Sequence, residues 1–194
     1  MMKFLRDIVV TILIALTIFV VLQATVQNFK VEGMSMSPTI HNGEHLIVNK
    51  ATYFFNSPQR GEIIVFRAPH NPDSDYVKRV IALPGDTIEI IGGTIFVNDI
   101  PLVEPSYIEP PRYIVPSKEI PPDSYFVLGD NRNNSQDSHN GWTVPRDYII
   151  GKAWLTIWPP SQWGLAAHYH TSASNYMNMV SKPNLASEIL CQVK

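Results

Sequence analysis

Three short segments carry side chains able to do chemistry on a carbonyl group. Met34-Ser35-Met36-Ser37-Pro38-Thr39 offers hydroxyls, Asp75-Tyr76-Val77-Lys78-Arg79-Val80 offers an amine and a guanidinium, and the run from Gly129 to His139 offers carboxylates, amides and a further hydroxyl. A serine attacks an acyl carbon only when a base takes its proton. Lysine can be that base once its pKa of ~10.4 falls by ~2–3 units, and burial drives it that way by disfavouring the charged form. Each segment also has an ordinary meaning: Ser and Pro make turns, strand lysines commonly reach the rim, and a polar run launched from a strand end makes a solvated loop. Period-two alternation sharpens the choice. It puts Tyr76, Lys78 and Val80 on one strand face and Val77, Arg79 and Ile81 on the other, so one of the two neighbouring cations points toward the core. If that cation is Lys78, its pocket must be dry, closed by apolar residues near Met34, Met36 and Val80.

Histidine is the usual partner of a catalytic serine, and a Ser/His/Asp hydrolase using His139 or His45 is the first alternative. The chain has six histidines but no G-x-S-x-G elbow. A second alternative, from another class, is a membrane-anchored interaction module whose site is vestigial.

About forty and fifty residues separate the three segments, so the elements between them must bring them together. Ile8–Phe29 is a run of 22 residues without a charge, long enough as a helix to cross the ~30 Å hydrocarbon layer. It exceeds the ~7–15 residue apolar core of a cleaved signal peptide and is closed by no A-x-A site. Lys3 and Arg6 before it favour a cytoplasmic N-terminus. Six residues then lead from Phe29 to Ser35, at most ~20 Å when extended, which keeps Ser35 close to the membrane surface. Short β-branched and aromatic runs follow at His45–Asn49, Glu62–Phe66, Tyr76–Leu83, Thr87–Ile91, Thr94–Val97, Tyr125–Leu128 and Lys152–Trp158. Gly92-Gly93 between two of these runs predicts a two-residue hairpin over 87–97. The proline-dense stretch Ile100–Pro122 reads as an extended connection, and Asp147–Gly151 as a short turn before the last strand. Trp154, Trp158 and Trp163 suit either a core or the headgroup level of a bilayer. Residues 1–29 thus form an N-terminal stub and anchor, 30–164 a domain outside the cytoplasm, and 165–194 a loosely ordered tail.

Composition narrows the class. The 194 residues carry 15 Lys+Arg against 17 Asp+Glu, with no basic run, which speaks against a nucleic-acid partner. Cys191 is the single cysteine, so no intramolecular disulfide forms, and nothing beside it has zinc-ligand spacing.

Taken in order over roughly residues 7–163, the anchor, the S-M-x-P-T box at Ser35–Thr39, the Y-x-K-R box at Tyr76–Arg79 running on to Leu83-Pro84-Gly85-Asp86, and G-D-N-R-x-x-S-x-D-S at Gly129–Ser138 resemble the bacterial type I signal peptidases. One box alone is weak, whereas the ordered set is specific. The resemblance implies a mainly β fold with a coiled antiparallel catalytic domain behind one transmembrane helix. It implies Ser35 as nucleophile, Lys78 as general base and Ser135 as the hydroxyl that orients the lysine. Asp137 becomes a support beneath the site, Asp130 the acidic partner of Arg79, and Val31 and Val77 the lining of pockets for small side chains at substrate positions −1 and −3. Preproteins with signal peptides and the lipid bilayer are the implied partners, with no metal or organic cofactor. Two positions depart from the family pattern. Gly33 stands where some members carry a Ser that helps bind the oxyanion, a donor whose loss costs ~3–4 kcal/mol elsewhere. His139 stands where an Arg often pairs with the Asp137 equivalent, which would weaken that ion pair or make it pH-dependent.

Overall fold

The structure is a computed structural model in which residues 2–168 are described; Cys191, His170 and all but the start of the expected tail lie outside them. The chain enters through α1, Met2–Thr25. Its stretch Lys3–Thr25 has a mean hydropathy of 2.6, and no part of its apolar core is buried by the rest of the chain. At ~1.5 Å per residue it is long enough to span a hydrocarbon layer. Thr11, Thr17 and Thr25 donate their hydroxyls to carbonyls one turn back, which satisfies them without water. The helix is shorter at its end than the uncharged run suggested. Val26–Lys30 is a strand, β1, because its backbone pairs antiparallel with β2, His45–Asn49, from Val26↔Asn49 to Lys30↔His45. A bond from Lys50 N to Thr25 O, 2.8 Å, closes the junction.

The remaining strands are β3 Ile63–Ala68, β4 Asn71–Ala82, β5 Thr87–Ile91, β6 Thr94–Val97, β7 Ile100–Pro101, β8 Val115–Glu119, β9 Ser124–Leu128, β10 Val144–Pro145, β11 Ile149–Trp158 and β12 Gly164–Leu165. They make two antiparallel sheets, one in the order β1-β2-β11-β3-β4-β9-β10 with β12 added on β11, the other β7-β6-β5-β8. In β3 the even and odd positions are both apolar because both faces are covered. Ile63 and Val65 pack with Val31, Met36, Leu46 and Val48, while Ile64 and Phe66 pack with Tyr53, Val80, Tyr125 and Val127. The second sheet closes a third core of Ile88, Ile90, Ile95 and Val97 on Ile81, Phe126 and Leu128.

The 87–97 hairpin forms as predicted, Ile91 pairing with Thr94 and both turn glycines at positive φ, the backbone that a tight two-residue turn requires. The proline-dense stretch is not wholly a connection. Val115–Glu119 pairs with β5 although it contains Pro116. It is an edge strand, where a missing N–H can face solvent, and this is what conceals it in the sequence. The turn expected at 147–151 is shorter, a single 3₁₀ turn at Arg146–Tyr148, with β11 starting at Ile149. At the other end the chain stays tied past residue 164. Leu165 pairs with Leu155, Ala166 N donates to Trp154 O, and His168 takes a hydrogen bond from Ile63 N at Nδ1 while Nε2 lies 2.8 Å from Ala153 O. Residues 165–168 are therefore part of the sheet region and not the beginning of a loose tail.

Candidate active site

Ser35 sits in a turn between β1 and β2. Its neighbour Met36 and the nearby Ile40 are 1% exposed, and they plug the turn into the core beside Leu46 and Ile63. Ser37 N donates to Met34 O and Ile40 N to Met36 O. From the other side, the loop after β9 clamps the same turn: Asn131 N donates to Ser35 O at 3.0 Å, and Asn131 Nδ2 to Met34 O at 3.1 Å. Gly129 makes this approach possible. A β-carbon there would stand 2.3 Å from Ser135 Oγ and 2.4 Å from Ser35 O, a collision no side chain can avoid.

Lys78 comes from the middle of β4, the strand that joins β3 to β9. Its Nζ donates to Ser35 Oγ at 2.6 Å and to Val77 O at 3.0 Å. The side chain runs past the Tyr76 ring, 5.3 Å from Nζ to the centroid. Burial pushes the amine down from 10.5 to about 8, against the opposing pull of the Asp137 and Asp130 carboxylates. The neutral amine, negligible for an ordinary lysine at neutral pH, becomes a substantial fraction in the mildly alkaline range, the condition for a base. The sequence places one cation of the Lys78-Arg79 pair toward the core, but the structure buries both, at 4% and 0% exposure. The C-terminal half of β4 is interior, with Tyr76 and Val80 in one apolar cluster and Val77 against another, so both cations are packed against apolar neighbours, and Lys78 meets the cleft only at its edge.

Arg79 is held by a bidentate pair with Asp130, Nε to Oδ1 at 2.8 Å and Nη2 to Oδ2 at 2.6 Å. Its Nη1 donates to Gly61 O and Ala167 O. A buried guanidinium is tolerable only when so completely bonded. Asp137, fully buried, accepts Gly129 N at Oδ2 and His139 N at Oδ1, which fixes the glycine that admits Ser35. His139 keeps a contact with Asp137, Nδ1 to Oδ1 at 2.7 Å, and its ring stacks on Tyr113 at 4.1 Å. It is turned to that carboxylate, whereas the hydroxyl of Ser35 meets Lys78. Ser135 lies in the same cleft, its Oγ buried without a hydrogen-bond partner. Val31 and Val77 also line this cleft of about 480 Å³, which Met34 and Met36 border and which Val80 does not reach. Met36 is buried but Met34 is 58% exposed, so the pocket wall is apolar on one side and open on the other. Gly33, at positive φ, donates its N–H to Asn42 Oδ1 at 2.9 Å. No cluster of His, Cys, Asp or Glu suited to a metal ion occurs among the described residues.

Comparison with known proteins places the whole chain. The family model for signal peptidases, peptidase S26, matches residues 2–158. The chain belongs to that family. It is 38% identical to the probable signal peptidase I-1 of Synechocystis, covering 84% of this chain and 87% of that one. The signal peptidase I of Leptolyngbya laminosa is 43% identical over 75% of this chain and 77% of its own. The thylakoidal processing peptidase 1 of Arabidopsis thaliana is 34% identical over 76% of this chain and 47% of its own. The protein is thus a protease of the signal peptidase I family, mainly β with an apolar N-terminal helix.

Several residues in and around this cleft are silent in a reading by residue type. Gly129 and Asn131 stand in a quoted box, yet nothing in composition marks them as the clamp on Ser35. Tyr113, which stacks on His139, and Glu104, which pairs with Arg132, come from the proline-dense stretch. Ala167 and His168 lie in what reads as tail. The three tryptophans are surface residues, with Trp154, Trp158 and Trp163 50%, 55% and 69% exposed, so the core alternative for them is not the one adopted.

Proposed function

We propose that this peptidase is a membrane-anchored serine endopeptidase that removes N-terminal signal peptides from exported preproteins, with Ser35 as nucleophile and Lys78 as general base. The observation that carries the reading is the 2.6 Å approach of Lys78 Nζ to Ser35 Oγ inside a buried strand. Neutral Lys78 takes the Ser35 proton as Oγ attacks the scissile carbonyl, and the ammonium then protonates the departing amine. The acyl-enzyme is hydrolysed by water activated at the same amine. Ser135, with its unpartnered hydroxyl in the cleft, takes the remaining N–H of protonated Lys78 and orients it. With Gly33 N–H engaged by Asn42, the Ser35 N–H is the main-chain donor for the oxyanion. Asp130 neutralises Arg79 behind the site, Asp137 supports it through Gly129, and Val31 and Val77 admit small residues at positions −1 and −3. The helix α1 holds the enzyme in the bilayer with the catalytic domain on the extracytoplasmic side. A substrate held in the same bilayer then meets Ser35 at high effective concentration. The membrane is the plasma membrane or an internal photosynthetic one, the latter being where the Arabidopsis relative's name places that protein.

The test is cleavage of a signal-peptide substrate by the purified full-length chain across pH. Ser35→Ala and Lys78→Ala abolish cleavage, His139→Ala retains most of it, and kcat/KM rises with pH along a limb near the Lys78 value of about 8. Activity surviving in Lys78→Ala, or a limb near ~6.5 that vanishes with His139→Ala, overturns the assignment in favour of histidine chemistry.

A further inference from the structure

The glycine that admits Ser35 is held through both of its main-chain polar groups. Gly129 N donates to Asp137 Oδ2 at 2.9 Å, and Gly129 O accepts Arg132 Nε at 2.9 Å. The Arg132 side chain is fully buried. The other two nitrogens of its guanidinium donate to one carboxylate, Nη2 to Glu104 Oε1 at 2.6 Å and Nη1 to Glu104 Oε2. A guanidinium taken out of water keeps its place by such a fork, and the fork fixes the plane in which its third donor points. The aim of Arg132 Nε at Gly129 O is therefore set by the carboxylate of Glu104. Any shift of Gly129 passes to the nucleophile's turn, since the space where a β-carbon would stand is filled by Ser35 O and Ser135 Oγ.

Glu104 does not belong to the loop it grips. It stands in the proline-dense stretch, which is fastened to the second sheet: Leu102 N donates to Ile95 O at 2.7 Å, Leu102 and Tyr113 pack on the core of that sheet, and Ile108 is buried. From this footing the stretch meets the loop after β9 at two further points. Arg112 N donates to Asn133 Oδ1 at 2.8 Å while Asn133 Nδ2 donates to Pro110 O at 3.1 Å, and the Tyr113 ring lies on His139. A carboxylate on so well-anchored a backbone is a fixed point against which the loop can be aligned.

We propose that Glu104 is a positioning residue for the peptidase reaction, acting through Arg132 and Gly129 to hold Ser35 at its distance from Lys78, and that the second sheet serves catalysis by carrying it. The inference rests on the reading of Ser35 as nucleophile. The experiment measures kcat, KM and the urea midpoint of the full chain on a signal-peptide substrate for four variants. Glu104→Gln keeps the size but breaks the fork. Glu104→Leu with Arg132→Met removes both charges, so that none is left buried alone and the fold survives, but it also removes the bond to Gly129 O. Ile149→Ala, a truncation in another apolar cluster, reports what lost stability alone does, and Ser35→Ala tests the underlying reading. Both Glu104 variants are expected to lower kcat by about 10-fold or more with KM within about twofold, wherever their midpoints fall, while Ile149→Ala lowers the midpoint and keeps kcat. Wild-type kcat in either folded Glu104 variant overturns the proposal, as does an equal loss of kcat in Ile149→Ala. Should Glu104→Gln not fold, the double variant decides alone. Cleavage surviving in Ser35→Ala removes the nucleophile and this proposal together, whereas an inactive Ser35→Ala beside fully active Glu104 variants removes the positioning role only.

Discussion

Replacing Lys78 by methionine should inactivate the peptidase and make it more stable. The side chain is 4% exposed, and burial lowers its amine from 10.5 to about 8. Unfolded, the same amine titrates near its ordinary value, so between those two pH values the unfolded chain binds more protons than the folded one. Stability must therefore rise with pH across that window, and below it the folded state carries the whole cost of a perturbed amine. At ~1.4 kcal/mol per pKa unit the cost is roughly 3 kcal/mol near pH 7. Methionine fills nearly the same volume without a charge to desolvate. It forfeits the bonds to Ser35 Oγ and Val77 O, and an acceptor left unsatisfied costs about 1–3 kcal/mol. Ser35 faces the open side of the cleft, where water can replace the lost partner, so the net gain at pH 7 should be of order 1–2 kcal/mol. The assay is urea unfolding of the detergent-solubilised full chain, wild type beside Lys78→Met, at pH 7 and at pH 10.5. The variant should be the more stable at pH 7, and the wild type should recover by roughly 3 kcal/mol relative to it at the higher pH. A difference that does not change with pH would refute the claim that Lys78 is held as a strained, desolvated base, whatever the sign of that difference.

The other predictions concern the frame around the pair. Gly129→Ala forces a β-carbon to 2.4 Å from Ser35 O, so, with Ser35 as the proposed nucleophile, it should lower kcat by ~10²-fold through displacement of that residue by an ångström or so; unchanged kcat in a folded variant would show that the clamp is not needed. Asp130→Ala leaves the buried Arg79 without its bidentate carboxylate, a change expected to cost about 3–5 kcal/mol in urea unfolding. A chain ending after residue 168 should keep its peptidase activity, whereas one ending after 164 loses Ala167 O from Arg79 and the His168 bridge between β3 and β11. The shorter chain should unfold at lower urea by a few kcal/mol; equal midpoints for the two truncations would place those contacts outside the folded core.

Much of this molecule is legible without coordinates. The uncharged run predicts the helix because nothing but apolar side chains can cover that length, and the Gly92-Gly93 pair predicts the hairpin because only a tight turn wants two successive residues at positive φ. Runs such as Ile63–Phe66, continuous rather than alternating, already imply a strand covered on both faces. What escapes is whatever depends on a neighbour distant in the chain. Val115–Glu119 looks like a linker because Pro116 argues against a strand, and only its place at the sheet edge makes that proline harmless. Residues 165–168 look like tail because single contacts from Ala166, Ala167 and His168 have no period.

The sequence by itself determines the chemical inventory, a serine soon after an apolar helix, a lysine beside an arginine in a strand, and a polar loop launched from another strand. Those are local facts, set by residue type and spacing. Tertiary structure alone decides that both cations of the Lys78-Arg79 pair are buried, since burial of both faces of β4 requires two sheets and three apolar clusters assembled from the whole chain. It likewise decides that Lys78 meets Ser35 across 43 residues and that Asp137 holds the glycine beneath them. A base perturbed by desolvation exists only where packed neighbours have displaced most of its water, and no stretch of sequence can do that by itself.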